Sequence, residues 1–174
     1  RGTGIVIVPT DTIYGFSGIV PAGAKRIIEA KGRDEGKPFI QLLARPEDLS
    51  LHTGDTINPA LLALWPGAVT VIVRNRAGGT TAFRCPGDEW LRSVISLTGA
   101  PVYSTSVNRA GEPAIKTIGN IEKEFGDVAD LIVDDGDHPE GTASTLVDAT
   151  APVYRIIRQG AVAIPADCLK GSLT

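Results

Sequence analysis

Strand and helix signals that alternate along the chain, adjacent strands with no helix between them, and an apolar run that ends in neutral polar side chains together predict the fold class. They point to an α/β protein with an open, twisted sheet of mixed parallel and antiparallel strands and helices on both faces. Residues 5–8, Ile-Val-Ile-Val, form a β-branched run bounded by Gly4 and Pro9, the pattern of a strand buried on both sides. Residues 9–18 follow as a loop. Residues 22–30 carry Ala24, Ile27 and Ile28 at helical spacing, and Gly32 just beyond suits a helix C-cap. Residues 39–43 read as a strand, 58–64 as a helix halted by Pro66, and 69–74 as a strand that turns through Gly78-Gly79 into a partner at 81–84. Asp88 suits the N-cap of a helix over 88–97, residues 102–104 form a strand, and 118–125 form a helix ended near Gly126. Strands at 131–134, 145–148 and 154–157 complete the sheet, with no internal repeat and no linker.

Length and composition fit one domain over residues 1–174, a size that buries about 70% of the surface of the unfolded chain without a disulfide or metal staple. A net charge of -3 argues against whole-molecule attraction to nucleic acid or to an anionic membrane and leaves phosphate binding to a local cleft. Cys85 and Cys168 have neither the paired spacing of a zinc site nor an even disulfide framework, so a reducing, cytoplasmic location is expected. No apolar run approaches the roughly 20 residues that span a bilayer, and no basic, apolar leader opens the chain, so no membrane partner is expected. Met is absent even at position 1, so the sequence is expected to lack its translated start.

Three segments concentrate chemistry. Lys31-Gly-Arg33, at the end of the first helical pattern, sets two cations one glycine apart, so both can converge on one multiply charged anion. On these residues alone a solvated basic helix end is the favoured reading. Ser106 and Asn108, in Pro101-Val-Tyr-Ser-Thr-Ser-Val-Asn108, offer a hydroxyl and an amide at i and i+2, on one side of an extended segment. They can orient a phosphate, or they can form a turn toward Gly111. Thr12, in Pro9-Thr-Asp-Thr-Ile-Tyr-Gly15, lies in the loop leaving the first strand, where open α/β sheets hold ligands. Arg84 can grip a carboxylate with its planar fork or pair with an acidic neighbour such as Asp88. Asp134-Asp-Gly-Asp-His138 lacks the oxygen ladder of a calcium loop and the ligand set of a zinc site, and reads as a solvated turn. His52 and His138 come with no Gly-x-Ser-x-Gly elbow, and no Walker A sequence is present.

In this order and at these separations, the segments resemble the YrdC-like family of L-threonylcarbamoyladenylate synthases over nearly the whole chain. Trp65-Pro-Gly-Ala-Val-Thr70, Phe83-Arg-Cys-Pro86, Ala143-Ser-Thr-Leu-Val-Asp148 and Ile157-Arg-Gln-Gly160 add to the resemblance. It implies that Lys31, Arg33, Ser106 and Asn108 are catalytic and, with Thr80 and Arg158, bind ATP. It implies that Thr12, Arg84, Ser104 and Ser144 hold threonine, with Arg84 on the carboxylate and Ser104 acting through its backbone. The implied reaction joins L-threonine, bicarbonate and ATP into threonylcarbamoyl-AMP and pyrophosphate. ATP serves there as a substrate with Mg2+ carried on it, there is no protein metal site, and a tRNA-modifying threonylcarbamoyl transferase takes the product. Two departures stand out: Leu42 where many members have His, and Ala114 where a Ser often meets nucleotide. The resemblance also implies a helix and strand missing before Gly4. Two alternatives remain open at this point. One is a carbamoyl-transfer domain fed with carbamoyladenylate. The other is an RNA-binding module that uses Lys31, Arg33, Lys37 and Arg109 on phosphates.

Overall fold

The first apolar run becomes β1 (Val6–Val8), and because successive strand residues point to opposite faces, Ile7 and Val8 enter different layers of the molecule. The computed structural model describes residues 2–34, 36 and 38–171. Eight further strands follow: β2 (Gly15–Ile19), β3 (Ile40–Leu42), β4 (Val69–Arg74), β5 (Thr80–Arg84), β6 (Val102–Ser106), β7 (Leu131–Ile132), β8 (Thr145–Asp148) and β9 (Arg155–Arg158). They form one sheet in the order β7-β1-β2-β6-β3-β5-β4-β8-β9. The pairs β1/β7, β3/β5 and β4/β8 are parallel and the remaining neighbours antiparallel, so the expected mixed sheet is present.

The expected loop over residues 9–18 is half wrong, because residues 15–19 are a strand between β1 and β6. Gly15-Phe-Ser-Gly-Ile19 has no β-branched run to announce it. Its glycines are there for close approach: a Cβ on Gly18 would lie 3.0 Å from the Gly23 Cα, and one on Gly15 would lie 3.0 Å from Ser104 Oγ.

Among the described residues four α-helices flank the sheet: α1 (Ala24–Lys31), α2 (Pro59–Leu62), α3 (Glu89–Thr98) and α4 (Ile118–Phe125). Ile27 and Ala30 of α1 and Ile121 and Phe125 of α4 pack with Ile7, Phe16 and Val107. Phe125 meets Phe16 edge-on at 4.8 Å, an arrangement worth about 0.5–1.5 kcal/mol beyond its buried area. Leu61 of α2 packs with Val69, Val71, Val73 and Phe83 on the same face. On the opposite face Leu91 and Ile95 of α3 pack with Val8, Leu42 and Val102. The caps follow the sequence signals. Asp88 accepts from the Leu91 N–H at 2.6 Å, Asn58 Oδ1 accepts from the Ala60 N–H at 2.9 Å, and Gly32 turns left-handed at φ 60°.

On the α3 side the strands leave a floor that α3 does not cover. Ser104, Ile40, Ala82 and Ile72 are register partners across β6, β3, β5 and β4, so their side chains stand in one row on this face.

Candidate active site

That row is the floor of a cavity of about 380 Å³, within the roughly 300–1,000 Å³ range of ligand clefts. Thr10, Thr12, Tyr14 and Gly15 line it from the first loop, Arg33 and Phe39 from the segment after α1, and Arg84 from the end of β5. Ser104 and Ser106 line it from β6, and Ser144, Leu146 and Arg158 from β8, β9 and the approach to them. Among its described lining residues are three arginines and no Asp or Glu.

At one end, the loop after β1 closes on itself. Thr10 Oγ1 donates to the Ile13 carbonyl at 2.7 Å and accepts from the Thr12 N–H at 3.1 Å, and the Thr10 and Thr12 hydroxyls lie 2.8 Å apart. Arg84, only 4% exposed, reaches this loop. Its Nη1 donates to Thr12 Oγ1 at 2.9 Å, its Nε donates to the Gly67 carbonyl at 3.0 Å, and its Nη2 is paired with Asp11 Oδ1. Burial pulls the Arg84 guanidinium below its ordinary pKa, and the Asp11 carboxylate opposes that shift. Three of the five guanidinium N–H groups are engaged, which leaves two for a ligand carboxylate. Asp88, the neighbour expected from sequence, instead caps α3. Asp11 escapes sequence reasoning although it lies between Thr10 and Thr12, because its partners Arg84 and Gly87 lie more than seventy residues on.

At the other end, Gly32 separates two cations with different surroundings. Lys31 is 3% exposed, and its Nζ donates to the Ser106 carbonyl, to the Asn108 carbonyl at 3.0 Å and to Asn108 Oδ1 at 2.7 Å. Its three donors are therefore all engaged, and it does not line the cavity. Burial, with the Arg33 guanidinium second, pushes the ammonium down to about 8. Arg33 does line the cavity: it lies over the Phe39 ring at 4.9 Å, with Nη2 on the Pro38 carbonyl at 2.9 Å and a buried Nε that has no partner. Ser106 Oγ donates to Asn108 Oδ1 at 2.6 Å, and the Asn108 amide donates to the carbonyls of Arg109 and Glu112. The cationic pair and the hydroxyl-amide pair are thus adjacent, with Asn108 and Lys31 bracing the strand end while Ser106 and Arg33 border the open space.

Along the far wall, Ser144 Oγ lies 2.7 Å from Thr70 Oγ1, and the Arg158 guanidinium donates to the Ser144 carbonyl at 2.9 Å through Nη2. Ser104, at the β6 end of the floor, has its hydroxyl against Gly15. The structure therefore brings Thr12, Arg33, Arg84, Ser104, Ser106, Ser144 and Arg158 to one cavity. Lys31 and Asn108 stand directly behind it. Thr80 does not join them. It starts β5 just past the hairpin, two residues short of the floor, and borders a separate hollow with Thr81, Gln41 and Tyr103. Of the cations considered for RNA, Arg109 is paired with Glu124 at 2.7 Å and stacked on Phe125 at 4.9 Å, while Lys37 lies outside the described residues.

Both sequence departures can now be placed. Leu42 is buried against α3 and lies outside the cavity lining, whereas Ala114 lines the cavity. The acidic run turns at Gly136, where Asp134 Oδ1 accepts from the Gly136 N–H at 2.9 Å and Asp137 Oδ1 from the first amide of α4 at 2.8 Å.

A sequence model of the Sua5/YciO/YrdC family, described as telomere recombination, matches residues 1–160. The chain belongs to the Sua5/YciO/YrdC family. Similar family members include a threonylcarbamoyl-AMP synthase of Pyrococcus abyssi, 31% identical over 90% of this chain and 50% of the relative. A putative threonylcarbamoyl-AMP synthase of Mycobacterium leprae is 28% identical over 94% and 80% of the respective chains. Among solved structures, P. abyssi Sua5 complexed with L-threonine superposes with a TM-score of 0.83 at 27% identity, over 91% of this chain and 51% of that one. The chain spans about half the length of the P. abyssi relative. E. coli YciO shares the Sua5/YciO/YrdC fold, with a TM-score of 0.78 at 19% identity over 91% and 84% of the two chains. Among the described residues no helix is long and apolar enough to cross a membrane.

Proposed function

We propose that the chain is the catalytic domain of a threonylcarbamoyl-AMP synthase that joins L-threonine, bicarbonate and ATP. The observation that carries this reading is the cavity's charge: three arginines, of which Arg84 is already paired with Asp11, and no carboxylate among the described lining residues, in a chain of net charge -3. Such a chamber suits a guest that brings several negative charges, as a carboxylate together with a triphosphate does. The names of the relatives and the threonine held by P. abyssi Sua5 support the same chemistry.

In this reading the two remaining N–H groups of Arg84 take the amino acid carboxylate, with the Thr12 and Ser144 hydroxyls beside it. The threonine amine and bicarbonate give a carbamate and water. A carbamate oxygen then bonds to the α-phosphorus of ATP, the bond from that phosphorus to the bridging oxygen breaks, and pyrophosphate leaves. Arg33 and Arg158 spread the negative charge, Ser106 orients a phosphoryl oxygen, and Lys31 with Asn108 keeps that strand end in place. Mg2+ enters on the nucleotide as part of the substrate. The product serves a transferase that modifies adenosine in tRNA.

The test is pyrophosphate release from ATP with threonine and bicarbonate supplied together and singly omitted. Release that requires all three is the expected result, with Arg33→Ala folded and at least about 100-fold slower. Release that persists without threonine, or an Arg33→Ala variant of wild-type rate, overturns the reading.

A further inference from the structure

The proposed reaction gives no role to Thr145 in Ala143-Ser-Thr145 or to Gln159-Gly160 after Arg158, although both belong to motifs that stand out in the sequence. The structure joins them. Thr145 is fully buried, and its Oγ1 donates to the Val162 carbonyl at 2.5 Å. The same oxygen accepts from the Gly160 N–H at 3.0 Å and the Val162 N–H at 3.3 Å, with the Gln159 amide at 3.4 Å. One hydroxyl therefore gathers the whole turn that follows β9.

The turn is also pressed onto the cavity wall. The Ala161 N–H donates to the Ala143 carbonyl at 2.9 Å. A Cβ on Gly160 would fall 2.2 Å from the Ala143 carbonyl oxygen and 2.4 Å from the Ser144 carbonyl carbon, so only glycine can cross there. Arg158 enters this turn, and its guanidinium rests on the Ser144 carbonyl. Arg158 pairs with Leu146 at the end of the β8/β9 ladder, and the bulge between Leu146 and Val147 cuts that pair off from the rest of the ladder, so the turn beyond it adds to the hold on Arg158.

We propose that Thr145 is the positioning residue for Arg158: its hydroxyl clamps residues 159–162 onto residues 143–145 and thereby holds the Arg158 guanidinium at the cavity for the phosphates of a nucleoside triphosphate. This rests on the proposed function for the identity of the ligand, while the clamp itself rests on the hydrogen bonds. Thr145→Val keeps the shape and deletes the hydroxyl, leaving the Gly160 and Val162 amides without their acceptor, and Thr145→Ser keeps the hydroxyl.

The experiment measures ATP affinity by calorimetry for wild type, Thr145→Val, Thr145→Ser, Arg158→Ala and the Thr145→Val/Arg158→Ala double variant. The expected result is about tenfold weaker binding for Thr145→Val, recovery in Thr145→Ser, and a double variant no weaker than Arg158→Ala alone. Unchanged affinity in Thr145→Val, or losses that simply add, overturns the positioning role and leaves the proposed function standing. A wild-type protein that binds no ATP overturns both. If Thr145→Val does not fold, hydrogen exchange in the wild type decides. Saturating ATP should slow exchange at the Gly160 and Val162 amides, and unchanged exchange there counts as refutation.

Discussion

Asp11→Ala tests whether the carboxylate-gripping end of the cavity is assembled before any ligand arrives. The substitution removes both oxygens at once: Arg84 loses its counter-charge and the Gly87 N–H loses an acceptor at 2.8 Å. Breaking a buried ion pair costs about 3–5 kcal/mol because the surviving charge stays desolvated. Here the Arg84 side chain is 5% exposed but that of Asp11 is 20% exposed, so water can partly fill the vacated space, and about 2–3 kcal/mol is expected. In a domain of this size each kcal/mol moves Tm by about 2–4 °C, so Tm should fall by about 4–12 °C. Asp11→Asn retains an acceptor for Arg84 and should lose roughly half as much. Turnover supplies the second readout: threonine KM should rise more than kcat falls, because the damaged part is a ground-state grip. A Tm within about 1 °C of wild type and an unchanged threonine KM would show that Asp11 and Arg84 do not depend on each other.

Two other outcomes are expected. Thr80→Ala should leave ATP affinity and turnover within about twofold of wild type, because Thr80 lies outside the cavity lining and borders a separate hollow; a loss above about tenfold would place nucleotide there. Burial pushes the Cys85 thiol up to about 11 from an ordinary 9.0, so the unfolded chain loses this proton first. The stability that Cys85 contributes is therefore complete below pH 9 and is lost as pH rises through about 11. The urea midpoint of wild type should fall toward that of Cys85→Ala over this window, and a constant gap between the two would contradict the assignment.

The elements legible in the sequence are those whose cause is local. Helix α4 matches its expected limits because its apolar spacing and following Gly126 lie within nine residues, and the β4/β5 hairpin is announced by Gly78-Gly79. Strand β2 is hidden because its residues are small for the sake of neighbours distant in sequence, so its glycines resemble a loop. The same distinction runs through the site. Arg33, Arg84 and Ser106 can be picked out by type and position. Nothing near Lys31 reveals that its ammonium is saturated by oxygens from residues 106 and 108, and nothing near Asp11 reveals Arg84. Thr80 enters through the family resemblance alone, and the geometry sets it apart.

Gly15 makes part of the cavity's base bare main chain, and a methyl group there would press into Ser104 Oγ at 3.0 Å. Peptide groups cannot be exchanged by mutation, so that region of the chamber is closed to retuning by substitution. A lineage that needed to admit a bulkier or differently charged guest would have to change the side chains that line the space, such as Ala114 and Ala143 on the walls or Ala82 elsewhere on the floor. Engineering for altered selectivity should begin with those alanines.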